Sequence, residues 1–412
     1  MTSFDSSVKE RLIRYAKVDT QSRNGVSCIP TTEKQFDLAR MLRDEMLSLG
    51  VSDVWLDEDH CVVYGVLPSN TEEGMPVGYI AHMDTAPDAP GCNVKPQMIT
   101  NYDGGPILLN REKNIWMRPE DFPNLKMYIG EDLICTDGTT LLGGDDKASI
   151  ASIMTMAEYY TTHPEIPHGT IALAFTPDEE VGGLARDLDL DRFAAKIAYT
   201  LDGDHLGYYE YETFNASWAE IRFKGLSVHP GTAKGIMINS IDVANEFLSA
   251  LPAYEKPQYT DGREGFFYVI SVNGTCEETV IQMIARDHDA VQFENRNHYL
   301  QIITDELNRR YPAGTVSLKI TEQYRSMKEV IDTVPFMVDD LKRAISDCGI
   351  EPVSIAFRGG TDGSALSQRG LPCPNLSAGY ENAHGRFEYV PIRNMAKNVE
   401  ILIRLNEIYR DK

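Results

Sequence analysis

The chain has 412 residues, of which 39 are basic and 62 acidic, giving a formal net charge of -23. An acidic surface repels phosphate backbones and anionic lipid, which argues against nucleic acid and the membrane as partners. The hydrophobic share of 42% is that of a folded protein, and at ~150 residues per domain the length predicts two or three domains. No apolar run reaches the ~18–20 residues that a bilayer span requires. The first residues, Met-Thr-Ser-Phe-Asp-Ser-Ser, lack the basic and apolar regions of a secretory leader. Seven cysteines stand singly with no C-x-x-C pair, a usage that predicts a reducing, cytoplasmic setting.

In chain order, apolar residues recur at helical spacing through Val8, Leu12 and Tyr15, then through Phe36, Ala39, Leu42 and Met46, with Gly50 as a stop. Val62–Val66 and Val77–Ala81 read as buried strands. A helix is predicted from about Lys147 to Tyr160, and the runs Ile171–Phe175 and Ile197–Leu201 add further strands. Helices interleaved with buried strands predict an α/β fold: a mixed, mostly parallel sheet with helices on both faces. The pattern then changes. Ala219, Ile221 and Phe223 alternate with Glu220, Arg222 and Lys224, as in a half-buried strand. A helical face through Ile241, Ala244, Leu248 and Leu251 follows, then strands at Phe266–Ser271 and Val280–Arg286. A helix over about Asp289–Arg309 and an alternating run through Val316, Leu318 and Ile320 complete the order β-α-β-β-α-β of ferredoxin-like folds. Residues 211–320 therefore read as an inserted domain between two parts of a catalytic domain, 1–210 and 321–412.

Open α/β sheets bind ligands beyond the carboxyl ends of their strands. His82-Met83-Asp84 follows one predicted strand, Asp178-Glu179-Glu180 another, and Asp202-Gly203-Asp204 a third. Gly143-Gly144-Asp145-Asp146 opens a helix, and Glu381-Asn382-Ala383-His384 follows Pro374–Gly379. Imidazole and carboxylate together suit zinc, cobalt or manganese, and sulfur is absent from the set. In an extended segment residues i and i+2 share a side, so Asp84 is placed to accept the second ring N–H of His82. Each turn alone has a plainer reading: a surface pair, a helix cap, a solvated acidic loop, an ordinary loop histidine. Five such turns, each after a predicted strand or opening a helix, make coincidence a poor account.

Longer stretches carry a resemblance. They are Ile80–Thr85, Leu141–Lys147, Phe175–Gly182, Val228–Gly235, Phe357–Gly363, Leu371–Leu376 and Ala383–Arg386, in this order from about residue 80 to 390. On these motifs the sequence resembles the M20 family of dinuclear zinc peptidases and acylases, and within it the branch of tripeptide aminopeptidases. The resemblance implies that His82 and Asp202 bind one metal, Glu180 and His384 the other, and that Asp145 bridges them. Asp84 would orient His82 and Glu179 would be the general base. The inserted domain would be a lid whose His229 hydrogen-bonds the developing oxyanion on closure. Two Zn²⁺ per subunit are implied, with Co²⁺ or Mn²⁺ as substitutes, along with a short peptide substrate and a homodimer formed through the lids. Arg286 resembles the family's carboxylate-binding arginine, and Arg358 is a second candidate for that fork; either could instead be a structural salt-bridge residue. The stretch Asn93–Met127 also resembles the tripeptidase branch.

Two turns depart from the family pattern. Asp204-His205 stands where tripeptidases tend to carry small residues, and Gly379-Tyr380-Glu381-Asn382 replaces a glycine-rich approach to His384. The candidate ligands are intact, but strict tripeptide preference is put in question. The alternatives are another M20-type hydrolase (a dipeptidase, carboxypeptidase or N-acyl amino acid hydrolase) and a non-catalytic peptide-binding relative. The intact Glu179 and ligand set speak against the latter.

Overall fold

The computed structural model describes residues 4–72 and 74–412. The chain divides into two compact units. One comprises the chain up to Tyr211 with Glu329–Ile355 and Thr361–Lys412, the other Glu212–Lys328 with Ala356–Gly360.

The first unit is built on an eight-stranded sheet in the order Ser52–Asp57, Val62–Leu67, Ile171–Thr176, Val77–His82, Ile197–Leu201, Asn375–Leu376, Tyr208–Thr213, Val353–Phe357. Its centre is parallel: Val77–His82 lies between Ile171–Thr176 and Ile197–Leu201, and Asn375–Leu376 continues beside the latter. Antiparallel pairs flank this centre. All residues of the strands Val77–His82, Ile171–Thr176 and Ile197–Leu201 are buried, as strands covered on both faces must be, so they read as unbroken apolar runs.

Helix Gln35–Leu49 ends on Gly50, whose φ of 83° is the left-handed cap glycine accepts without a Cβ clash. Helix Gly144–Thr162 is buried on nearly every side and packs against Asp5–Ala16 and Ile392–Arg410. Asp145 and Asp146 have non-helical backbone angles, so the regular helix starts after them, near the predicted Lys147. Between strand Val77–His82 and this helix, short strands and the 3-10 turn Pro123–Tyr128 close over a separate apolar cluster around Tyr102, Leu109, Leu125 and Tyr389.

The second unit has the order β-α-β-β-α-β: strands Asn215–Lys224, Phe266–Gly274, Glu278–Asp287 and Val316–Tyr324, with helices Ser240–Ala250 and Ala290–Arg310. Its antiparallel sheet runs Phe266–Gly274, Glu278–Asp287, Asn215–Lys224, Val316–Tyr324. Ala219, Ile221 and Phe223 point inward, as their alternation predicts, and share one core with Phe247 and Leu300 from the two helices. Each large side chain buried here stabilises the unit by ~1.5–3 kcal/mol. Asn239 and Asp289 cap the two helices through their side chains. No helix among the described residues is long and apolar enough to cross a membrane.

Candidate active site

Parallel pairing brings strand ends together. His82 is the last residue of its strand and pairs with Thr176, so the turn carrying Glu179 and Glu180 leaves the sheet beside it. Asp202 follows directly on Leu201, the end of the next strand. All three turns open at the carboxyl edge of the sheet.

There the imidazoles and carboxylates converge. His82 Nε2 lies 2.9 Å from Asp145 Oδ1. His384 Nε2 lies 3.2 Å from Asp145 Oδ2 and 2.8 Å from Glu180 Oε2. The two oxygens of Asp145 thus face different histidines. Glu179, the neighbour of Glu180, instead shares a group with His82 and Asp202 whose ligand atoms lie within 4.8 Å of one another. Asp84 is fully buried; its carboxylate accepts the main-chain N–H of Glu179 at 3.0 Å and of Glu180 at 3.3 Å. His82 Nδ1 lies 3.1 Å from the main-chain oxygen of Asp84 and 3.4 Å from its Oδ1. A proton on Nδ1 is therefore held by Asp84, and Nε2 is the ring atom turned towards Asp145.

The electrostatics ask for positive charge. Burial, then the negative charge of Asp202, pushes Glu179 well above the usual carboxylate range. Burial likewise raises Glu180 to about 8 and Asp202 to about 6, each with Asp145 as the next cause. Burial also opposes ionisation of Asp145, but hydrogen bonds from His384 and His82 outweigh it and hold this carboxyl low. His384 is raised to about 11 by its hydrogen bonds to Asp145 and Glu180. Glu180 Oε1 and Asp146 Oδ1 are buried without a hydrogen-bond partner. Buried carboxylates that burial penalises, gathered around two imidazoles whose ring nitrogens can exchange a proton for a metal, fit a cation among them.

The remaining candidates belong to the second unit. His229 is exposed at the head of the 3-10 turn Pro230–Thr232, and its Nδ1 accepts the N–H of Gly231 at 3.1 Å. The neutral ring then carries its proton on Nε2, the donor an oxyanion needs. Arg286 gives one nitrogen to the Arg358 carbonyl at 3.1 Å, lies over the Tyr324 ring, and keeps a buried Nε without a partner. Arg358 spends its guanidinium on the carbonyls of Gly262 and Glu264 and on the Thr260 hydroxyl, with Phe214 and Phe266 beneath it. Its surroundings are those of a structural brace.

Residues 211–315 match the model of the peptidase dimerisation domain of the M20 family. The chain is 50% identical over 404 residues to peptidase T of Geobacillus kaustophilus (strain HTA426), with 98% of each chain covered. The chain belongs to the peptidase T family. Peptidase T is the M20 tripeptide aminopeptidase, so the catalytic reading stands and the non-catalytic alternative is not favoured. Among solved structures, aminopeptidase PepT from Bacillus cereus ATCC 10987 superimposes with a TM-score of 0.78 at 23% identity, covering 99% of both chains. A dinuclear metal-binding M20 peptidase of Bacillus subtilis superimposes at a TM-score of 0.68 and 13% identity, covering 100% of this chain and 99% of that one.

Within this peptidase T framework, sequence reasoning missed the residues that hold the candidate ligands. Glu388 is buried and accepts three main-chain N–H groups, from Leu142 and Gly143 at 2.8 Å each and from Asp145 at 2.9 Å. It pins the turn that carries the bridging candidate. An acid four residues after a loop histidine looks solvated in sequence, so no signal marked it. Asp146 Oδ2 accepts the N–H of His82 at 3.2 Å. Tyr380 donates its hydroxyl to Asp202 Oδ1 at 2.7 Å.

Proposed function

We propose that the chain releases the N-terminal residue of tripeptides on two divalent cations held by the His/carboxylate cluster, with Zn²⁺ as the native metal and Co²⁺ or Mn²⁺ as substitutes. His82 and Asp202 would hold one ion and Glu180 and His384 the other, with Asp145 the carboxylate that would serve both. The observation that carries this reading is Asp145 itself, with one oxygen 2.9 Å from His82 and the other 3.2 Å from His384. When bound, a metal pair lowers the pKa of water to ~7 and polarises the scissile carbonyl. Glu179, grouped with His82 and Asp202, takes the proton of the attacking water and passes it to the departing amine. Asp84 holds the His82 ring and, through two N–H groups, the main chain beneath Glu179 and Glu180. His229 Nε2–H is the proposed oxyanion donor, and Arg286, with its unpartnered Nε, the proposed fork for the free carboxylate of a tripeptide. Arg358 supports Arg286 through its main-chain carbonyl.

A homodimer is proposed as the working assembly, supported by the match to the peptidase dimerisation domain. The seven free cysteines support a reducing cytoplasmic setting.

The test is metal content on chelator-free protein together with a length-graded panel of unblocked and N-acetylated peptides. Two metals per chain, fastest release from unblocked tripeptides, loss of turnover on chelation and recovery with Zn²⁺ are expected. Turnover of N-acylated amino acids, or full activity without metal, overturns the proposal.

A further inference from the structure

The two turns that depart from the family pattern meet in the fold. His205 Nδ1 lies 2.6 Å from Glu381 Oε1. The preceding residue, Tyr380, donates its hydroxyl to Asp202 and accepts the N–H of Gly203 at 3.0 Å. Successive side chains of one segment therefore grip both ends of the turn Asp202–His205.

Glu381 is buried and gathers three side-chain donors from two parts of the chain. Besides His205, the Tyr128 hydroxyl donates to the same oxygen, and Asn124 Nδ2 donates to Oε2 at 2.7 Å. Asn124 also reaches Asn382 Oδ1 at 3.1 Å. The main chain of Glu381 exchanges hydrogen bonds with Tyr389 at 2.9 and 3.0 Å, closing the base of the loop that carries His384. His384 itself is 47% exposed and has a φ of 61°. A half-exposed side chain on left-handed backbone has little packing of its own to hold it. Its position is inherited from the base of the loop, where Glu381 sits.

We propose that Tyr380 and Glu381 are positioning residues for the two halves of the metal cluster. Tyr380 fixes the carboxylate of Asp202. Glu381, anchored by Tyr128, Asn124 and His205, fixes the loop that presents His384. This inference rests on the metal-site assignment proposed above. A ligand already held in its binding orientation gives up less freedom when the cation arrives, and removing such an outer partner costs 10–100-fold in metal affinity.

The experiment is a Zn²⁺ titration of the chelator-stripped full chain against a chromophoric competitor, with the thermal midpoint of each metal-free protein measured alongside. Wild type takes up two Zn²⁺ in resolvable steps. Glu381→Ala weakens one step about 10–100-fold and leaves the other within about threefold, while Tyr380→Phe weakens the other step. Glu381→Gln, which keeps an oxygen for Tyr128, loses less than the alanine variant. Unchanged steps in both variants overturn the inference alone. Equal weakening of both steps with a lower metal-free midpoint also overturns it, because that pattern is general loss of fold. A wild-type chain that binds no Zn²⁺ overturns the site assignment beneath it.

Discussion

Glu179 and Glu180 show how two adjacent, identical side chains acquire different surroundings. They open a 3-10 turn, where consecutive side chains diverge by about 120°. Glu180 meets His384 while Glu179 joins the His82 and Asp202 group. With Glu179→Ala, kcat is expected to fall roughly 10²–10⁴-fold with two metals per chain retained; near wild-type turnover would remove Glu179 from proton transfer. The second residue-scale case is Arg286, a cation whose buried Nε has no partner. Arg286→Ala is expected to raise KM for tripeptides about tenfold or more, the loss of a charge-assisted fork, with metal content unchanged. A flat profile across peptide lengths for that variant would exclude the role. The ligand types at these positions were legible in sequence. Their supports were not, because Tyr380 and Glu388 act through contacts 178 and 243 or more residues away along the chain.

At the scale of elements, strand Ile197–Leu201 falls where its apolar run predicts, and the second unit has the predicted β-α-β-β-α-β order. Two predicted strands of this unit were too short at their ends: Phe266–Ser271 extends to Gly274 and Val280–Arg286 to Glu278–Asp287, since paired main chain carries a strand past its apolar residues. Pro374–Gly379, the stretch leading to the His384 turn, is strand only over Asn375–Leu376. Strand Tyr208–Thr213 carries Glu210 into the sheet, where Asn375 Nδ2 donates to it at 3.0 Å. Burial, then the charge of Asp202, pushes this carboxyl up to about 8 from an unfolded value of 4.5. The folded state therefore holds the proton more tightly. Its contribution is full below pH 4.5 and is lost as pH rises towards 8. Glu210→Gln is expected to flatten the fall in thermal midpoint across that window, compared at equal Zn²⁺. Parallel curves for variant and wild type would refute this.

For the whole molecule, assembly is the property most exposed on the surface. Strand Phe266–Gly274 is an edge of its sheet, and Tyr268, Ile270 and Val272 stand exposed on it. An apolar edge strand with open N–H and C=O groups is a template for pairing unless a partner covers it. A second copy of the chain is the partner that the dimerisation-domain match supports. Replacing Ile270 and Val272 by Glu is expected to shift sedimentation from dimer to monomer without unfolding the protein. A wild type that sediments as a monomer at micromolar concentration would refute the homodimer.

The sequence by itself determined the chemistry available and the kind of fold. Apolar runs with the right periods dictate elements locally, and the turns after them must hold whichever polar residues come next. Tertiary structure alone decided the pairing of groups: which oxygen of Asp145 faces which imidazole, that Asp84 serves the main chain of Glu179 and Glu180 as well as His82, and that His205 meets Glu381. The reason is physical. Periodicity acts over a few residues, whereas these contacts join strand ends and loops far apart in the chain, and only a folded sheet brings them within hydrogen-bond distance.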